Sequence, residues 1–321
     1  MTENTSSRPD EIPMETLELM AAAWKWHEKT LTILRSTTSI VSVISSVFLI
    51  RIIIKSKQRL STTFHRLLLG MAISDIMFSL PMATFGVMSP SSDNGWIWNA
   101  HGNQASCNAQ GFFITTGMYS TLCYSCSLNF YYLFKVKYNK SDSYIRNKIE
   151  PFLHFIPILF GLYFSITGLF SHNYNDKGVG VCGIVAVYDP PHCIGYEPGE
   201  VREGFEIPCG RGQQNESYYY WTNVVVIFTV PILVGITLGM VYSHVNKQEK
   251  SMTRYDQADQ QPTSQHYSRA VLHKAYAYSI SFFLSWVWRL GASIMYLAGA
   301  GVPLWYAYLW YVTTVCFRPA F

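Results

Sequence analysis

Seven stretches of this chain are apolar and long enough to cross a lipid bilayer, at roughly 31–54, 66–89, 107–136, 151–171, 219–244, 270–298 and 302–317. This feature fixes the solvent before any single residue is considered. A helical crossing needs about 20 mostly apolar residues. Only helices and closed barrels satisfy their backbone polar groups in hydrocarbon. Barrel strands alternate apolar and polar residues with period two, and these stretches are continuously apolar. The expected fold class is an all-α membrane protein, a seven-transmembrane helix bundle. Charged residues make up only 14% of the chain, against about 25% in soluble domains. The mean hydropathy of +0.11 is modest because a polar N-terminal segment and one long polar loop dilute the helices.

Orientation follows from the loops. Lys55, Lys57, Arg59 and Arg66 follow the first stretch, and Lys135, Lys137, Lys140, Arg146 and Lys148 follow the third. Lys247, Lys250, Arg254, Arg269 and Lys274 follow the fifth. The loop between the second and third stretches, residues 89–106, has no Lys or Arg, and the loop after the fourth carries Asp176, Asp189, Glu197, Glu200, Glu203 and Glu206. The positive-inside rule then puts the N-terminus outside and the C-terminus in the cytoplasm. The organisation expected is an extracellular segment over 1–30, the bundle over 31–317 and the start of a cytoplasmic tail at 318–321. The acidic first residues lack the pattern of a removable signal peptide, so the first stretch is expected to act as an uncleaved anchor.

The cysteines agree with this topology. Cys107, Cys182, Cys193 and Cys209 fall on the outer side, where disulfides persist. Four cysteines allow three pairings. The preferred one joins Cys107 to Cys182 and Cys193 to Cys209. Asn215 and Asn4 begin outer-side glycosylation sequons.

Ionisable groups within a crossing are expensive and face the bundle interior. Asp75 lies mid-way along the second stretch, with Thr121, Ser125 and Asn129 on the third as expected neighbours. It is read either as a conformational switch with Thr121 or as a hydrogen-bonded packing carboxyl. Arg289 lies towards the outer end of the sixth stretch. It either pairs, snorkels, or meets an anionic ligand. Arg35 is expected to be interfacial. Phe282 and Trp286 are four apart, on one helix face, and Pro231 kinks the fifth stretch.

These residues together resemble the G-protein-coupled receptor superfamily, over nearly the whole chain. Met71-Ala72-Ile73-Ser74-Asp75 is similar to the helix 2 Leu-Ala-x-x-Asp signature. Cys107 stands where the family has its helix 3 disulfide cysteine, and Pro231 matches the helix 5 proline. Phe282-x-x-Ser285-Trp286-x-Trp288 resembles the helix 6 Phe-x-x-Cys-Trp-x-Pro switch. The outer loop has Cys182-Gly183-Ile184, then Pro190-Pro191-His192-Cys193, then Cys209-Gly210-Arg211-Gly212. It resembles a pattern of cyclic-AMP-receptor-like and diatom-type protist receptors. The segment Phe130-Tyr131-Tyr132-Leu133-Phe134-Lys135 and the junction Phe317-Arg318-Pro319 look like the same branch. The match is divergent. Tyr131-Tyr132-Leu133 replaces Asp-Arg-Tyr, Trp288 replaces the helix 6 proline, and Val312-Thr313-Thr314-Val315-Cys316 replaces Asn-Pro-x-x-Tyr.

The resemblance implies a plasma-membrane receptor that carries an extracellular small-molecule or peptide signal to a heterotrimeric G protein. Ligand contacts are then expected at Thr115, Met118, Tyr119, Trp286, Arg289 and Tyr306. Asp75, Thr121, Pro231, Phe282 and Trp286 would form the switch, and Tyr131, Tyr132 and Lys135 the coupling surface. No enzyme activity, cofactor, metal or nucleic-acid partner is expected. Residues 302–317 contain no lysine for a retinal Schiff base. His154, His244 and His273 are too scattered for a zinc hydrolase. The alternatives are a receptor fold that no longer couples and a transporter or channel. The latter would show inverted repeats or broken helices, which the sequence lacks.

Overall fold

A computed structural model describes residues 14–91, 97–185, 200, 210–212, 215–255, 280, 282–284, 286–295, 297–299, 303, 305–306 and 308–309. The chain is mostly helical. In order come α1 (Met14–Lys55), α2 (Thr63–Met82), α3 (Gln104–Tyr132), a short α4 (Asp142–Tyr144), α5 (Glu150–Phe170), strands β1 (Tyr174–Asp176) and β2 (Cys182–Ile184), and α6 (Glu216–Tyr255). A further apolar helix, α7, spans Phe282–Met295. Residues 305–306 and 308–309 are also helical.

Three helical segments are long and apolar enough to cross a membrane: Lys25–Lys55, Asp142–Phe170 and Ser217–Lys247. Three of the seven expected crossings are thus shown; α2 and α3 are less apolar, α7 is shorter, and the last stretch lies largely outside the described residues. For α3 the reason is position. Helix α3 is central, packing on α2, α5, α6 and both strands, so its surroundings are other helices. It can therefore carry Gln110, Thr115, Thr116, Ser120, Ser127 and Asn129 as buried polar residues.

The outer helices are built inside out relative to a water-soluble protein. Ile44 and Phe48 of α1, Phe152 and Phe155 of α5, and Val225 and Ile232 of α6 are all more than half exposed. The serines Ser36, Ser39, Ser42 and Ser46 form a buried stripe on α1. Small polar residues between helices and large apolar ones outside are the arrangement expected where hydrocarbon is the solvent. Gly117 and Gly161 set the close approaches. A Cβ at Gly117 would lie 2.4 Å from the Phe78 nitrogen of α2, and one at Gly161 would lie 2.2 Å from Ser120 Oγ.

Local chemistry fixes the helix ends. Thr62 caps α2, its side chain accepting from the His65 N–H. Asn103 and Ser106 form a reciprocal capping box at the start of α3. Pro151 sits in the first turn of α5, where its missing N–H costs nothing. Pro157 lies inside α5 and cannot donate to Leu153. Ser127 of α3 donates to that Leu153 carbonyl instead, at 2.9 Å.

Three expectations change. The second stretch is helical only to Met82, and turns follow it. The third ends in a π-turn over Leu133–Lys137. Arg35 is not interfacial. It is 1% exposed, because backbone carbonyls of the β1–β2 turn satisfy its guanidinium inside the protein. Residues 270–279 and 310–317, together with Asn4, Cys193 and Cys209, lie outside the described residues. Asn215 is exposed just before α6.

Candidate functional site

The site is built under the β1–β2 hairpin. Its strands pair antiparallel, with Tyr174 opposite Ile184, Asn175 opposite Gly183 and Asp176 opposite Cys182. Two three-residue strands are too short to be stable alone, so the neighbouring helices hold them. Cys182 is disulfide-bonded to Cys107 at the start of α3, as expected, with a Cα–Cα distance of 5.3 Å. Gln110 Oε1 accepts from the Cys182 N–H at 2.8 Å, and Gln104 donates to the Tyr174 carbonyl at 2.9 Å. From α1, Arg35 donates to the carbonyls of Val179 and Gly180, and Thr32 donates to Val179 at 2.9 Å. Asp176 Oδ1 accepts from the Gly178 N–H at 2.6 Å and tightens the turn. Burial pushes the Asp176 carboxyl above its usual range, with Arg35 pulling the other way.

Beneath the hairpin lie groups from α3, α6 and α7. Arg289 donates to Asn223 Oδ1 at 3.2 Å and approaches Met118 Sδ at 3.4 Å. Its guanidinium also lies over the Trp286 ring, 5.5 Å from the centroid. Tyr119 is 3% exposed and stacks on Phe164 at 4.5 Å. Trp286 and Phe282 face the same apolar cluster, with ring centroids 5.8 Å apart. Their four-residue spacing made this legible in the sequence.

Lys177, in the hairpin turn, is the group the sequence did not single out. It is exposed, and it lies near enough to Arg289 and Asp176 to feel both charges. Burial and the like charge of Arg289 push its ammonium down to about 8, against the pull of Asp176. Lys177 and Arg289 thus bring two cations within electrostatic reach of each other beside the hairpin, which favours an anionic group there.

The remaining expected ligand contacts divide. Met118, Tyr119, Trp286 and Arg289 come together. Thr115 is buried against Tyr174 and supports the hairpin. The Tyr306 hydroxyl donates to the Trp288 carbonyl at 2.6 Å, so it is committed to the backbone of α7. Pro231 lies within α6. Thr121 is buried on α3. Thr121, Ser125 and Asn129 on α3 were the expected neighbours of Asp75, and its Oδ2 accepts from Ser42 at 2.8 Å and Ser46 at 2.6 Å on α1. The serine stripe of α1 was the unread signal.

The opposite end of the bundle is held by charge. Glu150 at the start of α5 accepts two bonds from Arg66 and one from Thr63 at 2.7 Å, both on α2. His154 lies 3.7 Å from Glu150, and its other ring nitrogen contacts the Tyr124 hydroxyl at 3.1 Å. The expected coupling residues sit nearby and are partly engaged. Tyr131 and Tyr132 pack on Phe64, and Tyr132 is 4% exposed. Lys135 pairs with Asp142 at 2.7 Å. Among the described residues, no group of His, Cys, Asp and Glu could hold a metal ion.

No protein-family model matches the chain, and no curated protein is significantly similar to it.

Proposed function

We propose that this chain is a seven-helix plasma-membrane receptor of the G-protein-coupled type. It takes a ligand with an anionic group from outside and signals to a heterotrimeric G protein in the cytoplasm. One observation carries the reading. A disulfide-anchored hairpin covers a polar site, and that site continues through Arg289 and Trp286 into the buried Phe282 cluster. Ligand charge at Lys177 and Arg289 is therefore one residue contact away from the core between α3, α6 and α7. A ligand shifts the conformation only by its differential affinity for two states. Repacking of Trp286 and Phe282 provides such a difference. Asp75, tied to α1 by two serines, serves as a packing carboxyl in this reading.

A second reading, a receptor fold that binds but does not couple, draws on the other end. Tyr132 is buried, and Lys135 is already paired with Asp142. Nucleotide exchange on G proteins from the native cell, measured with a library of carboxylate and phosphate ligands, separates the two. Exchange that depends on Arg289 supports the receptor. Saturable binding with no exchange supports the second reading, and neither binding nor exchange removes both.

A further inference from the structure

The charged end of the bundle holds two adjoining open grooves of about 470 and about 460 Å³. They share Ser61 and Arg146. The two carboxylates that line them are already neutralised, Glu150 by Arg66 and Asp142 by Lys135. Arg146 is exposed and makes no hydrogen bond or ion pair among the described residues. The grooves therefore carry a net positive charge centred on its guanidinium. Beside it, the Asn147 amide and the Ser143 hydroxyl also line the wall and are not engaged in any described hydrogen bond. A planar guanidinium with amide and hydroxyl donors is the donor set that recognises phosphate oxygens.

The setting selects the source of that phosphate. Pro151 lines one groove. On the next turns of α5, Phe152, Phe155 and Ile156 are 63%, 60% and 55% exposed. Leu60, also a lining residue, is 41% exposed. A polar, cationic groove thus opens beside an apolar helix face. A free anion has no use for that face, whereas a lipid's acyl chains do.

We propose that the grooves between the start of α2 and the start of α5 bind the phosphorylated headgroup of an anionic membrane lipid, with Arg146 as the central contact and the lipid chains lying along α5. The inference rests on the membrane reading above and not on signalling, so it survives a failure of G-protein coupling. In the proposed orientation this end faces the cytoplasmic leaflet, where anionic lipids concentrate.

The test uses the full chain in phosphatidylcholine nanodiscs containing a small fraction of phosphatidylinositol bisphosphate. Retained lipid is read by native mass spectrometry, and soluble inositol trisphosphate serves as a competitor. The wild type is expected to retain the phosphoinositide in preference to phosphatidylcholine. Arg146→Gln should weaken retention about fivefold, Arg146→Lys should keep most of it, and all three proteins should melt together because Arg146 holds no part of the fold. Equal retention by Arg146→Gln and wild type overturns the proposal. So does soluble inositol trisphosphate binding as tightly as the lipid, which would mark a site for an aqueous anion.

Discussion

The two ends of this bundle solve the same problem with different chemistry. At the hairpin end, the cover is fastened by a disulfide and by side chains that donate to backbone carbonyls. At the opposite end, α2 and α5 are joined by an ion pair with hydroxyl and imidazole support. The first fastening is indifferent to salt and sensitive to reductant. The second is the reverse, since Arg66 keeps 24% side-chain exposure and is screened in part. A covalent clasp suits a cover over the candidate site.

The largest expected effect breaks the hairpin end. Removing the Cys107–Cys182 bond frees a loop of 75 residues, at a cost of roughly 4 kcal/mol in the chain-entropy account. The Cys107→Ala/Cys182→Ala variant should lose that much in detergent unfolding, with salt making no difference. Next comes the other end. Glu150→Gln leaves Arg66 without its carboxylate and should cost about 2–3 kcal/mol. Arg66→Met in the same chain should recover part of the loss, and the wild-type contribution should shrink in high salt. A Glu150 variant as stable as wild type would erase the contrast between the ends.

Arg35→Met sharpens the comparison further. It strips two carbonyls of the hairpin turn of a charged donor, and should cost about 2 kcal/mol, read as a lowered melting temperature. Its effect should shrink once the disulfide is gone, because both act on one cover. The smallest effect concerns affinity rather than stability. Lys177 is cationic below about 8 and neutral above it, while Arg289 stays charged throughout. Affinity for a carboxylate ligand should therefore fall as pH rises through that value. Binding of an anion raises the Lys177 pKa, so it takes up a proton near pH 8. Calorimetry in buffers of different ionisation enthalpy checks this, and Lys177→Gln should flatten the profile.

The membrane-length helices were legible because hydrocarbon imposes length and composition on the chain. The Phe282–Trp286 pair was legible because helical spacing alone places those two rings on one face. Arg35 was misplaced because an arginine at a crossing end ordinarily reaches for headgroups. The carbonyls that bury it come from residues about 145 positions away, which no local pattern reveals. Lys177 was missed for the same reason, as one lysine in a polar loop whose fold depends on distant strands. The bonds from Ser42 and Ser46 to Asp75 were not foreseen, because its neighbours were sought on α3. Yet Ser36, Ser39, Ser42 and Ser46 recur at helical spacing along α1, and that recurrence could have been read.

Everything rests on hydrocarbon being the solvent for the exposed faces of α1, α5 and α6. Spin labels placed singly at Ile44, Phe155 and Ile232 in liposomes test this directly, by comparing oxygen with a water-soluble nickel chelate as relaxing agents. The account requires all three labels to be reached by oxygen and shielded from nickel. Labels at these sites relaxed as strongly by nickel as one on the exposed Lys140 would contradict it.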